Sequence, residues 1–152
     1  MQEDTSIFPE QTITYATFWE RFAADFIDGL ILMVVNFFIS FIFGGGSFYG
    51  RMTGADYNLT GSFLQILAGW LYSALQESAA AQATLGKRAM GIKVVNMQGE
   101  RISFLQATGR HFGKMISAII LLIGYLMMLW DDRNQTLHDK MAGTLVVHNR
   151  KY

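Results

Sequence analysis

Residues 18–43, FWERFAADFIDGLILMVVNFFISFIF, decide the class of this protein. Almost all of them are apolar or aromatic, and at a rise of about 1.5 Å per residue they are long enough to cross the roughly 30 Å hydrocarbon core of a bilayer. The whole chain has 152 residues and is 51% hydrophobic, which is more than most soluble domains of this size contain. The sequence therefore predicts an integral membrane protein whose first partner is the lipid bilayer.

Two further apolar segments follow this first helix. Residues 44–61 have the Gly- and Ser-rich composition of a loop, and a second, less apolar helix is predicted for 62–81. A third apolar run, 112–130, is about one membrane thickness long. We therefore expect an all-α membrane protein, a small transmembrane helical bundle with two full spans and a third helical segment that spans or re-enters.

A basic segment, 82–111, separates the second and third apolar runs. Short loops rich in Lys and Arg stay in the cytoplasm, so this segment is predicted to be cytoplasmic. Within it, 92–95 and 101–104 flank Asn-Met-Gln-Gly and predict a small cytoplasmic β-hairpin. Residues 144–148 could join the hairpin and make a three-stranded sheet.

The C-terminal tail is basic as well, which decides between two topologies. A plain three-span arrangement would place one of the two basic segments outside, against the positive-inside rule. A third segment that enters the membrane and returns near Gly124 avoids this, and we favour it. The predicted organisation is a polar N-terminal segment at 1–17, a single membrane domain at 18–147, and a tail at 148–152. Residues 1–20 do not have the form of a signal peptide, so we expect the first helix to be retained.

Charged residues interrupt the first helix. Arg21, Asp25 and Asp28 follow one another at i, i+4 and i+7, which places them on one face. Ionisable groups in a spanning helix are expensive and usually face a protein interior or a water-filled cavity. Glu77 lies at a matching depth in the second helix, so it could share a polar pocket with Asp28. The alternative is a permanent ion pair that only holds the helices together.

Other kinds of site find little support. The chain has no cysteine, and residues 84–88, TLGKR, lack the upstream glycine and the Ser or Thr of a P-loop. His111, His138 and His148 do not have metal-ligand spacing, and no Ser/His/Asp order suggests a hydrolase. We therefore expect no enzyme activity, no metal, no cofactor and no nucleic-acid partner.

Several motifs, in this order, resemble the RDD family of bacterial integral membrane proteins, which is named for one arginine and two aspartates. They are FWERFAA at 18–24, IDG at 27–29, TLGKRAMGIKVV at 84–95, Gly99, Arg110, and TLHDKMAGTLVV at 136–147. The resemblance covers nearly the whole chain, from Ala16 to Val147, and Leu85 departs from the proline that many members have there.

The resemblance places the family's arginine on Arg21 and its aspartates on Asp28 and Asp139. It implies a multi-pass protein of the bacterial cytoplasmic (inner) membrane, in a family for which transport, including sodium/proton exchange for some members, has been proposed. Arg21 and Asp139 can meet only if both lie on one side of the membrane, which a returning third segment allows. We expect a structural ion pair between Arg21 and Asp28 or Asp139.

Our leading hypothesis is a small bundle that moves a monovalent cation or a proton through a polar pocket. Three helices are too few to enclose a pathway, so a homo-oligomer is expected. The residues predicted to form the pathway are Arg21, Asp25, Asp28 and Glu77.

The alternative is a non-transporting membrane scaffold or adaptor. Its basic cytoplasmic face would bind a partner protein or anionic lipid. The residues predicted for this role are Lys87, Arg88, Lys93 and Arg110.

Overall fold

A computed structural model describes residues 13–43, 59–119 and 123–149, so most of the predicted loop at 44–61 lies outside the described residues. The described part is mostly helical and has one small sheet. In chain order its elements are α1 (Phe18–Phe43), α2 (Leu59–Ser78), α3 (Leu85–Ala89), β1 (Ile92–Asn96), α4 (Phe104–Ile119), α5 (Ile123–Leu126), a 3₁₀ helix (Met127–Trp130), α6 (Leu137–Ala142) and β2 (Thr144–His148).

Helix α1 has the bounds predicted for the first apolar helix. Thr17 begins it with a capping box, because its hydroxyl accepts from the backbone N–H of Glu20 and its own N–H donates to the Glu20 carboxylate at 2.8 Å. Buried residues occur only in the first half of α1, whereas Phe41 near its end is 79% exposed. In the described ranges, α1 is the one helix that is long and apolar enough to cross a membrane.

Helix α2 runs antiparallel to α1. The hydroxyl of Tyr72 donates to Asp28 at 2.7 Å, and the amide of Gln65 donates to the Ser40 hydroxyl at 2.8 Å. The residue numbers of the contacts rise along α1, from Asp28 to Ser40, while those of their partners fall along α2, so the two helices form an antiparallel hairpin. The C-terminal end of α2 therefore lies beside the start of α1.

The third apolar run is not one straight span. A capping box of Ser103 and Gln106 starts α4 at Phe104, eight residues before the predicted boundary. A Cβ on Gly124 would lie 3.1 Å from the Cα of Ser117, whereas residues seven apart in a continuous helix are separated by about 10 Å. Gly124 of α5 therefore lies back against Ser117 of α4, and residues 120–122 lie outside the described residues.

The sheet differs from the predicted hairpin. Strand β1 pairs antiparallel with β2, with Ile92 opposite His148 and Asn96 opposite Thr144. The Asn96–Gly99 turn is present, and the N–H of Asn96 donates to the carbonyl of Glu100 at 2.9 Å. The hairpin prediction is nevertheless wrong, because the helix cap at Ser103 takes the following residues into α4 before they can form a second strand.

The residues before α1 pack on the other edge of β2. Tyr15 forms a β-bridge with Val147, and the N–H of Ala16 donates to the carbonyl of Val146 at 2.9 Å. The sheet thus has two strands and one additional bridge, not three strands. It places the approach to α1, β1 and the C-terminal strand at the same end of α1.

A small apolar core lies under the sheet at this end. Ile92, Val94, Ile102 and Val146 are each at most 1% exposed, and Trp70 and Met90 pack against them. The core fixes the sheet against the beginning of α1 and the end of α2.

Candidate functional site

A cluster of ionisable side chains lies beside the first turns of α1. It brings together residues from α1, α2, α3, α4 and α6, and we call it the charged cluster. Its members are Arg21, Asp25, Glu77, Lys87, Arg110, Lys114 and Asp139. All but Asp25 and Lys114 are buried.

Asp139 forms one centre of the charged cluster. It has no exposed surface, and its two carboxylate oxygens accept from Arg21 and from Arg110. The backbone N–H of Thr136 also donates to it, at 3.1 Å, which fixes the carboxylate at the start of α6. Burial by itself raises the pKa of Asp139, but the two guanidinium charges outweigh burial and hold the pKa well below its usual value. Asp139 is therefore ionised at physiological pH.

Glu77 forms the second centre. Its carboxylate accepts from Lys87 and from the Nε of Arg110, the latter at 3.0 Å. Arg110 thus joins Glu77 to Asp139, and it also donates to the Thr144 hydroxyl. Burial lowers the pKa of Arg110, but the two carboxylates raise it more, so the net pKa is raised. Burial lowers the pKa of Lys87, and attraction to Glu77 offsets this only in part.

Asp28 is bound differently, by neutral donors. It accepts from the hydroxyls of Tyr72 and Thr84 and from the backbone N–H of Gly86 at 2.8 Å. Gly86 is required by the close approach, since a Cβ there would lie 2.1 Å from the carbonyl oxygen of Ala24. The TLGKR motif is therefore the docking segment that holds α3 against α1.

A cavity of about 370 Å³ opens beside the charged cluster. Its polar lining comes from five members of the charged cluster, all but Glu77 and Asp139, together with Tyr125, Thr136 and His138. Its apolar lining comes from Phe18, Phe22, Leu126, Met128 and Val146.

Two polar features of the cavity stand out. Asp25 and Lys114 form a partly exposed pair at 3.1 Å. Burial lowers the pKa of His138 to about 3, with Arg110 and other cations adding to the effect against the attraction of Asp139. His138 is therefore neutral at physiological pH, and its Nε2 lies 3.0 Å from the hydroxyl of Thr136.

The predicted pathway residues do not form one pocket. Arg21 and Asp25 line the cavity, whereas Asp28 and Glu77 do not line it and have different partners. Arg21 contacts Asp139, and the described contacts of Asp28 do not include Arg21. Asp28 and Glu77 both bind the segment 84–87, but they do not contact each other in the described part of the chain.

The predicted basic face is divided by the fold. Lys87 and Arg110 are buried in ion pairs, whereas Arg88 is exposed and Lys93 is half-buried. Lys87 and Arg110 therefore cannot meet a partner at the surface in this conformation.

The sequence patterns did not mark Lys114, Tyr125 or Thr84 as site residues, and for His138 they showed only that it lacks metal-ligand spacing. The position of Lys114 inside an apolar run was the available signal, because a lysine there requires a carboxylate partner. No comparable signal marks His138. Among residues 13–43, 59–119 and 123–149, no group of three or more His, Asp or Glu side chains is placed to hold a metal ion.

Comparison with known proteins agrees with the membrane reading of α1. The family model described as "RDD family" matches residues 15–143. The chain is 39% identical to the uncharacterized protein YxaI of Bacillus subtilis (strain 168), over 88% of this chain and 97% of that protein. It is 30% identical to the uncharacterized membrane protein YteJ of the same organism, over 93% of this chain and 85% of that protein.

A shorter likeness extends to mycobacteria. The proline-rich antigen of Mycobacterium leprae is 35% identical over half of this chain and 30% of its own length. No solved structure matches the chain. The family match covers the segments that carry Arg21, Asp28 and Asp139, and the chain therefore belongs to the RDD family and is a membrane protein.

Proposed function

We propose that this RDD protein is a non-transporting membrane scaffold or adaptor. The observation that carries the proposal is the pairing within the charged cluster: Asp139 is held by two arginines, and Glu77 by Lys87 and Arg110. These carboxylates are held by cations of the protein itself.

The pairs act as cross-links between elements that are distant in sequence. Arg21 of α1, Arg110 of α4 and Asp139 of α6 form one connected unit, and Arg110 extends it to α2 and α3 through Glu77. A cation that passed through this unit would have to displace an arginine or lysine, and separating a buried pair typically costs about 3–5 kcal/mol. The arrangement therefore favours a fixed platform at the end of α1 over an ion pathway.

The accessible part of the basic face supplies the binding role. Arg88 is exposed and Lys93 half-buried, on adjoining elements at the end of α1 where the sheet lies. Cationic side chains near a membrane surface attract anionic headgroups by about 1 kcal/mol each. Anionic lipid is thus the simplest partner for this face.

Lipid retention tests the binding role. The protein is extracted from a membrane that contains phosphatidylglycerol and phosphatidylethanolamine, and the two lipids that remain bound are quantified. We expect the double change Arg88→Gln and Lys93→Gln to lower the retained phosphatidylglycerol fraction, and Lys140→Gln, an exposed lysine paired with Asp131, to leave it unchanged. Equal retention in all three proteins would reject this face as the binding surface.

Movement of a cation or proton is the second candidate. Asp25 favours it, because this carboxylate is partly exposed, lines the cavity and is held by a single lysine, Lys114. In this case α1 and α2 would both span the bacterial inner membrane, and several copies would surround the pathway. The antiparallel α1–α2 hairpin supports such a multi-pass arrangement.

A flux assay separates the two candidates. The purified protein is placed in liposomes under sodium, potassium and proton gradients in turn, and the scaffold proposal expects no flux above that of protein-free liposomes. Flux that disappears in Asp25→Asn or Asp28→Asn, with monodispersity unchanged, would establish transport and overturn the scaffold proposal.

A further inference from the structure

One edge of the Arg21 guanidinium is unpaired. Its Nη1 binds Asp139, but its Nε and Nη2 have no hydrogen-bond partner among the described residues, although Arg21 is only 7% exposed. Nε–H and Nη2–H are the two parallel donors that bind a carboxylate or phosphate at two points. Buried donors of this kind normally have a partner.

The same cavity contains a second unpaired group. His138 lines it, is 2% exposed, and its Nδ1 has no partner in the described part of the chain. A neutral histidine can offer Nδ1 as a donor when its other ring nitrogen accepts, as Nε2 can from the Thr136 hydroxyl. Arg21 and His138 together could therefore supply three N–H donors to one ligand.

The charges that line the cavity point to the sign of that ligand. Four cations line it, Arg21, Lys87, Arg110 and Lys114, together with one carboxylate, Asp25. This lining therefore favours a ligand with an anionic head over a cationic one.

The shape and lining of the cavity point to the rest of the ligand. Phe22 and Leu126 line it and are 56% and 40% exposed, so the apolar part of the cavity is accessible beside α1. Its volume of about 370 Å³ lies in the range of small-molecule pockets. An apolar chain that entered between these two side chains would meet Met128 and Val146 inside.

We propose that this cavity binds a membrane amphiphile, with a carboxylate or phosphate head on Arg21 and His138 and a single apolar chain toward Phe22 and Leu126. Free fatty acids and single-chain lipid phosphates share this chemistry. The site does not depend on whether the protein acts as a scaffold, because its ligand lies inside the cavity and not on the exposed basic face.

The test uses the full chain in nanodiscs of zwitterionic lipid and measures equilibrium binding of four probes. These are dodecanoate, dodecyl phosphate, dodecanol and inorganic phosphate. We expect saturable binding of at least one of the two anionic amphiphiles, and at least tenfold weaker binding of dodecanol and inorganic phosphate. Comparison of dodecanoate with dodecyl phosphate identifies the head.

Two variants locate the site without removing the fold. Arg21→Lys keeps a cation for Asp139 but removes the two-donor edge, so the dissociation constant for the preferred probe should rise about tenfold or more. Leu126→Trp fills the cavity and should abolish binding, whereas Leu129→Trp, on an exposed leucine that does not line it, is the matched control.

The proposal fails under any of three results. If dodecanol binds as tightly as the anionic probes, the anionic head does not contribute to binding. If inorganic phosphate binds as tightly as dodecyl phosphate, the apolar chain does not contribute. Binding that survives Leu126→Trp would place the ligand elsewhere.

Discussion

Replacing Asp139 by Asn should destabilise the folded protein by about 3–5 kcal/mol, the usual effect of breaking a buried ion pair from one side. The change removes the carboxylate charge from a position with no exposed surface. Arg110 retains Glu77 as a partner, but Arg21 loses the one carboxylate that contacts it in the described part of the chain. The amide that replaces this carboxylate would also turn a donor toward one of the two guanidinium groups. Since whole domains are stable by only about 5–15 kcal/mol, this is a large fraction.

The assay is chemical denaturation in detergent, followed by the fluorescence of the three tryptophans. Asp131→Asn is the matched control, because Asp131 pairs with Lys140, whose side chain is 45% exposed, and a surface pair contributes at most about 1 kcal/mol. A loss at pH 7 in Asp139→Asn no larger than that in Asp131→Asn would refute the buried-network argument.

The pH dependence of this loss has a definite sign. The folded pKa of Asp139 lies well below its ordinary value of 3.8, so its contribution to stability is complete above pH 3.8 and is lost as the pH falls through the folded pKa. The difference between the unmodified protein and Asp139→Asn should therefore be constant from roughly pH 5 to 8 and decrease only below about pH 4.

A double-mutant cycle isolates the contact with Arg21. The double variant Arg21→Ala, Asp139→Asn should lose less unfolding free energy than the two single variants added together, and the difference should be at least about 1 kcal/mol. Additive losses would mean that Arg21 and Asp139 do not interact energetically.

Gly86→Ala should lower the unfolding free energy by about 1–3 kcal/mol or prevent folding, since its Cβ would lie 2.1 Å from a carbonyl oxygen of α1. Gly109→Ala, which has open space around it inside α4, should be neutral or stabilising. Thermal unfolding of the two variants tests this difference. Single cysteines at the exposed residues Ser103 and Asn149 should be labelled alike by an impermeant thiol reagent added to oriented vesicles, because β1 and β2 pair at one end of α1. Labelling of only one of the two cysteines would contradict the returning topology. The folded pKa of His138, about 3, lies below its ordinary value of 6.5, so protonation favours the unfolded chain and the unfolding free energy should decrease as the pH falls below 6.5. His138→Gln should therefore reduce the slope of unfolding free energy against pH between about 4.5 and 6.5. An unchanged slope would mean that His138 is not buried as a neutral group.

Local patterns in the sequence were sufficient for the elements that depend on local physics. The apolar run from Phe18 to Phe43 predicted α1 with its observed bounds, because length and hydrophobicity alone decide whether a helix can cross a bilayer. The excess of Lys and Arg in two separate segments predicted that they lie on one side, and the β1–β2 pairing places them at one end of α1. The family was recognisable because its motifs occur in a fixed order.

Contacts between distant segments were decided only by the tertiary structure. Ile92–Val95 can pair with any strand of suitable length. The nearer candidate, 101–104, is not available because the cap at Ser103 begins α4 there, so β1 pairs with β2. Arg21 could have paired with Asp28 seven residues away, but α3 supplies Asp28 with neutral donors and α6 brings Asp139 to Arg21. Lys87 and Arg110 have the sequence pattern of a solvated basic face, yet both are buried because they form ion pairs with Glu77 and Asp139. The identity of a charged side chain is local, whereas its partner, and with it the choice between surface and core, depends on which elements pack together.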